Sequence, residues 1–166
     1  MNRAVWIAGM LLAAAAVSDV IAQAPPEPAK GPPAALALEA AQAAIAACAA
    51  NGYVVAATVI DSSGELKVVI AADGVPAGDA VPHSISKAVT ALTYRMSSAA
   101  VQARTKTDPK FAAEVEANPK LRARAGGQIL ASRGEIIGAI GVSGAPGGDK
   151  DDLCTLAGVA KIKDRL

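Results

Sequence analysis

YVVAATVIDSSGELKVVIAA, Tyr53 to Ala72, carries two apolar runs around a polar turn. Tyr53 to Ile60 is β-branched and almost wholly apolar, Asp61, Ser62, Ser63 and Gly64 supply a turn, and Leu66 to Ala71 reads as a second strand, so the stretch predicts a hairpin. The arrangement recurs in QILAS (128–132) and EIIGAIGVS (135–143), joined through Arg133 and Gly134. Ahead of the first hairpin, ALALEAAQAAIAACAAN (35–51) is dominated by the best helix former and stops at Asn51 and Gly52. Between the hairpins lies a helical region from Val81 to Met96, then a polar stretch whose Pro109 and Pro119 predict short helices or loops. The last segment, Asp149 to Leu166, opens with Asp149, Asp151 and Asp152 and closes with Lys161, Lys163 and Arg165, a charge order that suits a helix dipole. Helix, hairpin, helices, hairpin, helix is an α+β order: an antiparallel sheet of two hairpins flanked by helices.

The N-terminal segment MNRAVWIAGMLLAAAAVSDVIAQA (1–24) has Arg3 ahead of an apolar run and ends in small residues, the layout of a secretory signal peptide. Its apolar run is shorter than the roughly 20 residues needed to cross a bilayer. PPEPAKGPP (25–33) predicts an extended proline-rich tether, which leaves residues 34–166 as one domain. Export places the domain in the periplasm or outside the cell. With 16 Lys and Arg against 15 Asp and Glu, nothing points to nucleic acid, and aromatics at 2% leave little surface for base stacking. Cys48 and Cys154 fall in alanine-rich helical stretches. Pairing is chemically allowed after export, but buried free thiols are the expectation.

The single histidine, His83, opens the helix PHSISKAVTALTYR (82–95). At 100 degrees per residue, Ile85, Val89, Leu92 and Met96 gather into a core-facing stripe, and His83, Lys87, Thr90 and Tyr94 into a row on the opposite side. That row offers an iron ligand or base, a cation and two hydroxyls; the competing reading is a solvated polar face. A neutral imidazole suits haem iron, and a cation beside it suits a propionate. A mononuclear metal site would need carboxylates such as Asp73 or Asp79 as further ligands. The loop GVSGAPGGDKDD (141–152) runs from strand to helix. It lacks the phosphate-loop lysine and hydroxyl, and Ala145 stands where a nucleophile elbow around Ser143 would need glycine.

Taken together, PHSISKAVTALTYR (82–95), AGGQILASRGEIIGAIGVSGAPGG (125–148) and KDDLCTLAG (150–158) resemble the GlcG/HbpS family of haem-binding proteins, across nearly all of the chain after the tether. The resemblance rests on Pro82, His83, Ser84, Lys87, Ala88, Thr90 and Ala91, on Gly126, Gly127, Gly138 and Ile140 to Gly144, and on Asp151, Asp152, Cys154, Ala157 and Gly158. Val89, Ser97, Ser98 and Thr155 depart from the residues common there. The resemblance implies a profilin-like or PAS-like domain that forms compact homo-oligomers, and an exported haem carrier, scavenger or sensor accessory working beside a sensor or transport partner. It implies non-covalent haem at a surface or intersubunit site, with His83 as the iron ligand and Lys87, Thr90, Tyr94 and Arg95 around the group. No Cys-any-any-Cys-His motif is present for covalent attachment. Two other readings stay open: an oligomeric accessory protein that binds a different small molecule, and a small-molecule enzyme that uses His83.

Overall fold

The structure, a computed structural model, describes residues 28–166. The signal segment and the first tether residues lie outside the described residues, and residues 28–33 adopt neither helix nor strand. The chain then runs α1 (Ala34–Ala49), β1 (Ala56–Asp61), β2 (Leu66–Ala71), α2 (Ala80–Tyr94), α3 (Ser98–Thr107), α4 (Pro109–Glu116), β3 (Gly127–Ser132), β4 (Glu135–Ser143) and α5 (Gly148–Ile162), closing on a 3-10 turn at Lys163–Arg165. The polar stretch after α2 is thus mostly helical. Ser97 caps α3 by accepting from the Ala100 amide, and Asp108 caps α4 by accepting from the Phe111 amide, with Pro109 in its first turn.

The four strands form one antiparallel sheet in the order β2-β1-β4-β3, so the two hairpins meet along β1 and β4, from Ala56 opposite Ser143 to Asp61 opposite Gly138. Each hairpin is closed by local chemistry. Asp61 Oδ1 accepts from the amides of Ser63 and Glu65, while Arg133 (φ 51°) and Gly134 (φ 82°) make the left-handed two-residue turn that matches strand twist. Both faces of the sheet are covered, which is why β1 is buried along its whole length instead of alternating.

One face carries α1 and α5. Ala37, Ala40, Ala41, Ala44 and Cys48 form the buried stripe of α1 and pack with Ala57, Val59, Ile140 and Val142 of the central strands. Cys48 and Cys154 join α1 to α5 in a disulfide across 106 residues, so the expectation of free thiols was wrong. Helical repeat alone set both cysteines on buried stripes; what it did not carry was that α1 and α5 lie side by side and turn those stripes toward each other.

The opposite face carries α2, and here the amphipathic reading was inverted. The buried residues of α2 are Ser84, Lys87, Ala88, Thr90 and Ala91, while Ile85, Val89 and Leu92 are only partly buried. The physical reason is the floor beneath the helix. A Cβ at Gly141 would run into the Ser84 carbonyl, and one at Gly127 into the Lys87 carbonyl, so the helix backbone rides on strand glycines and only small or axial side chains fit between. Ala88 and Ala91 pack on Ile60 and Ala139, with Val89 and Leu92 flanking them. Ser84 hydrogen-bonds Thr58 at 2.6 Å and donates to the Val81 carbonyl, which satisfies its buried hydroxyl. Met96 belongs to a separate small cluster built on Val101, Phe111 and Val115.

Candidate functional site

A cavity of about 390 Å³ opens where the N-terminal half of α2, the segment leading into β3 and the β4–α5 turn converge. Its volume is within the usual range for small-molecule sites. Its chemistry comes from His83 and Lys87 of α2, Arg122 and Arg124, Asp79, and Asp151 of α5. Pro76, Ala77, Ala80 and Ala145 supply the apolar wall.

Lys87 forms the floor. It is 2% exposed, donates to Asp151 Oδ2 at 2.6 Å and to the Val142 carbonyl at 3.0 Å, and so closes a buried ion pair between α2 and α5. The second oxygen of Asp151 accepts from the Ala145 amide at 2.9 Å, which fixes the β4–α5 turn. Burial pushes the Lys87 ammonium down and the Asp151 carboxyl up from their ordinary values, opposed in each case by their mutual hydrogen bond and charge.

Residues 122–127 are held by side chains of other elements. Thr90 Oγ1 accepts from the Arg122 amide at 2.7 Å, Ser98 donates to the Arg124 carbonyl and accepts from the Gly127 amide, and Gln102 accepts from the Ala125 amide. Asp152 accepts from the Gly126 amide and from Gln128. This frame places Arg122 and Arg124 on the wall of the cavity, within electrostatic reach of His83. Arg122 Nε is buried without a hydrogen-bond partner, a state that costs about 1–3 kcal/mol when nothing compensates it.

His83 stands on the wall between these groups. Its pKa is lowered from 6.5, by burial first and then by the positive charge of Arg122, with Lys87 and Arg124 adding to the effect and Asp79 opposing it. The imidazole is therefore neutral at pH 7, with a lone pair available to a metal or a proton.

Of the residues singled out from the sequence, His83 and Lys87 line this cavity, and Lys87 is already spent on Asp151. Thr90 is buried behind it, where its hydroxyl donates to Ser86 and accepts from Arg122, a scaffolding role. Tyr94 and Arg95 are not among the lining residues. Tyr94 packs edge-on against Phe111 with ring centres 4.9 Å apart and donates to Glu114, and Arg95 ends α2 in the left-handed conformation (φ 55°) on the surface. Asp79 lines the cavity, Asp73 does not, and no group of three His, Cys, Asp or Glu residues suited to a metal ion occurs among the described residues. Arg122 and Arg124 were missed. The signal was the alternation in LRARAGG (121–127), two cations at even spacing just before a strand, so that both reach the same side.

The family model described as "Haem degrading protein HbpS-like" matches residues 33–160. The chain belongs to the HbpS-like family. HbpS of Streptomyces reticuli, solved as a double mutant, is similar with a TM-score of 0.72 and 26% identity over 92% of this chain and 97% of its own. Klebsiella pneumoniae protein ORFY is similar at TM-score 0.76 and 18% identity, over 87% of this chain and 99% of its own. PduOC, solved as a heme complex, is similar at TM-score 0.71 and 18% identity, over 80% and 95%. At 18% identity the last two speak to the fold alone. No curated protein sequence matches the chain. The HbpS-like α+β fold expected from the sequence is thus the fold observed.

Proposed function

We propose that this HbpS-like chain is an exported haem-binding protein that holds haem non-covalently at the cavity beside α2, with the His83 imidazole toward iron. The observation that carries this reading is geometric: the chain's sole histidine stands on the wall of an open cavity beside two arginines that make no ion pair among the described residues. The donor set suits the group: one neutral imidazole for iron, guanidiniums for carboxylates, and an apolar wall of Pro76, Ala77, Ala80 and Ala145. Haem, when bound, would supply a redox-active iron able to take a nitrogen ligand. The chain's own residues orient it: Lys87 and Asp151 brace α2 against α5 beneath His83, and Thr90 and Ser98 hold the arginine segment in place.

The description of the family as haem-degrading favours haem over an unrelated small molecule. Export is supported by the signal-like residues 1–24 and by the Cys48–Cys154 disulfide, a bond that persists in oxidising compartments. In this reading the protein works in the periplasm or outside the cell as a carrier, scavenger or sensor accessory. The haem site is then at the surface or between subunits, where a second copy of the chain covers the part of a porphyrin that the open cavity leaves exposed. The test is a haemin titration of the wild type and His83→Ala followed by absorbance. Saturable binding whose spectrum and affinity change in the variant supports the assignment; an identical spectrum and affinity removes it.

A further inference from the structure

Lys87 and Asp151 neutralise each other at the floor of the cavity. Counting His83 as neutral, Asp79 against Arg122 and Arg124 leaves one excess positive charge on the walls. Neither arginine makes an ion pair among the described residues, and no side-chain hydrogen bond engages either guanidinium. Two arginines lining one cavity, neither of them in an ion pair among the described residues, offer the forked donors that suit a carboxylate. A phosphate fits less well, because Asp79 and Asp151 line the same cavity and Asp149 stands in the first turn of α5 beside Asp151.

We propose that Arg122 and Arg124 form a carboxylate-binding site in this cavity, one that takes a singly charged carboxylate whether or not iron reaches His83. If the haem reading holds, the carboxylate is a propionate and the porphyrin enters with that edge inward. If it does not, the carboxylate belongs to a small organic acid. The site stands on the unpaired arginines and not on the haem reading.

Two titrations separate these cases. In the first, sodium propionate is titrated into the full domain while the Arg122 Nε–H resonance is followed by NMR, with sodium chloride as control. The expected result is a saturable shift absent from the chloride series and lost in Arg124→Gln, which keeps the reporting group. In the second, haemin is compared with haemin dimethyl ester. Haemin should bind roughly tenfold more tightly or better, the gain expected of a charge-assisted hydrogen bond, and Arg122→Gln should erase the difference. Arg122→Gln removes no side-chain hydrogen bond of the fold, and Arg124 is exposed, so neither variant should melt below the wild type. A saturable propionate response without haemin binding upholds the carboxylate site and removes the haem reading. Haemin and its ester binding equally, with propionate indistinguishable from chloride, overturns the carboxylate site and leaves the haem reading intact.

Discussion

Asp151→Asn replaces the carboxylate that pairs with Lys87 by a neutral amide of the same shape. The amide oxygen can still accept from the Ala145 amide, so the β4–α5 turn keeps its anchor, but the Lys87 ammonium, 2% exposed, is left with the Val142 carbonyl alone. Stranding a buried charge in this way costs about 3–5 kcal/mol, a large share of the ~5–15 kcal/mol that holds a domain together. Lys87→Met, which strands the carboxylate instead, should cost a similar amount. In the double variant neither charge is buried alone, and its loss should fall short of the sum of the single losses by at least ~1.5 kcal/mol. Urea denaturation of the four proteins closes the cycle. If Asp151→Asn costs less than ~1 kcal/mol, or the two losses simply add, the pair is not the buried brace between α2 and α5 described above.

Other consequences follow from single contacts. Removing the disulfide as Cys48→Ala/Cys154→Ala frees a 106-residue loop in the unfolded chain and should cost about 2–5 kcal/mol in denaturant, with no further effect of a reducing agent on the variant. Gly141→Ala drives a methyl group into the Ser84 carbonyl and should lower stability by about 1–3 kcal/mol, whereas Gly52→Ala, which meets no neighbouring atom, should cost less despite its positive φ. Because His83 is the only histidine, an NMR pH titration reports it alone. Its midpoint should lie below 6.5 and rise in Arg122→Gln, where one of the opposing positive charges is gone. Since the unfolded chain takes up that proton first, the His83 contribution to stability should fall as pH drops below about 6.5, and His83→Gln should abolish that component.

The parts of this molecule that could be read from its sequence are those set by near neighbours. β-branched runs bounded by Asp61 to Gly64 and by Arg133 and Gly134 name two hairpins wherever they are placed, and the alanine periodicity of α1 is visible along one face. The orientation of α2 was not legible, because hydrophobicity favoured Ile85, Val89 and Leu92 for the core. The deciding surface, the glycine floor at 127 and 141, lies some forty to sixty residues away. The same distance hid the partner of Lys87, which read as a free cation for a ligand and is instead paired with Asp151, 64 residues on. His83 was found because it is unique. Arg122 and Arg124 were not, since only the hydrogen bonds from Thr90, Ser98 and Gln102 bring their segment to the cavity.

The uniqueness of His83 also lets one isotope label report whether its imidazole binds iron. In untagged protein grown with [15N]histidine, the label enters this one side chain, while the porphyrin nitrogens stay 14N. Electron–nuclear double resonance of the ferric haem complex should then show a 15N coupling that is absent from unlabelled protein and from labelled His83→Ala. A haem complex whose nitrogen couplings are unchanged by the label would contradict the assignment of His83 to iron.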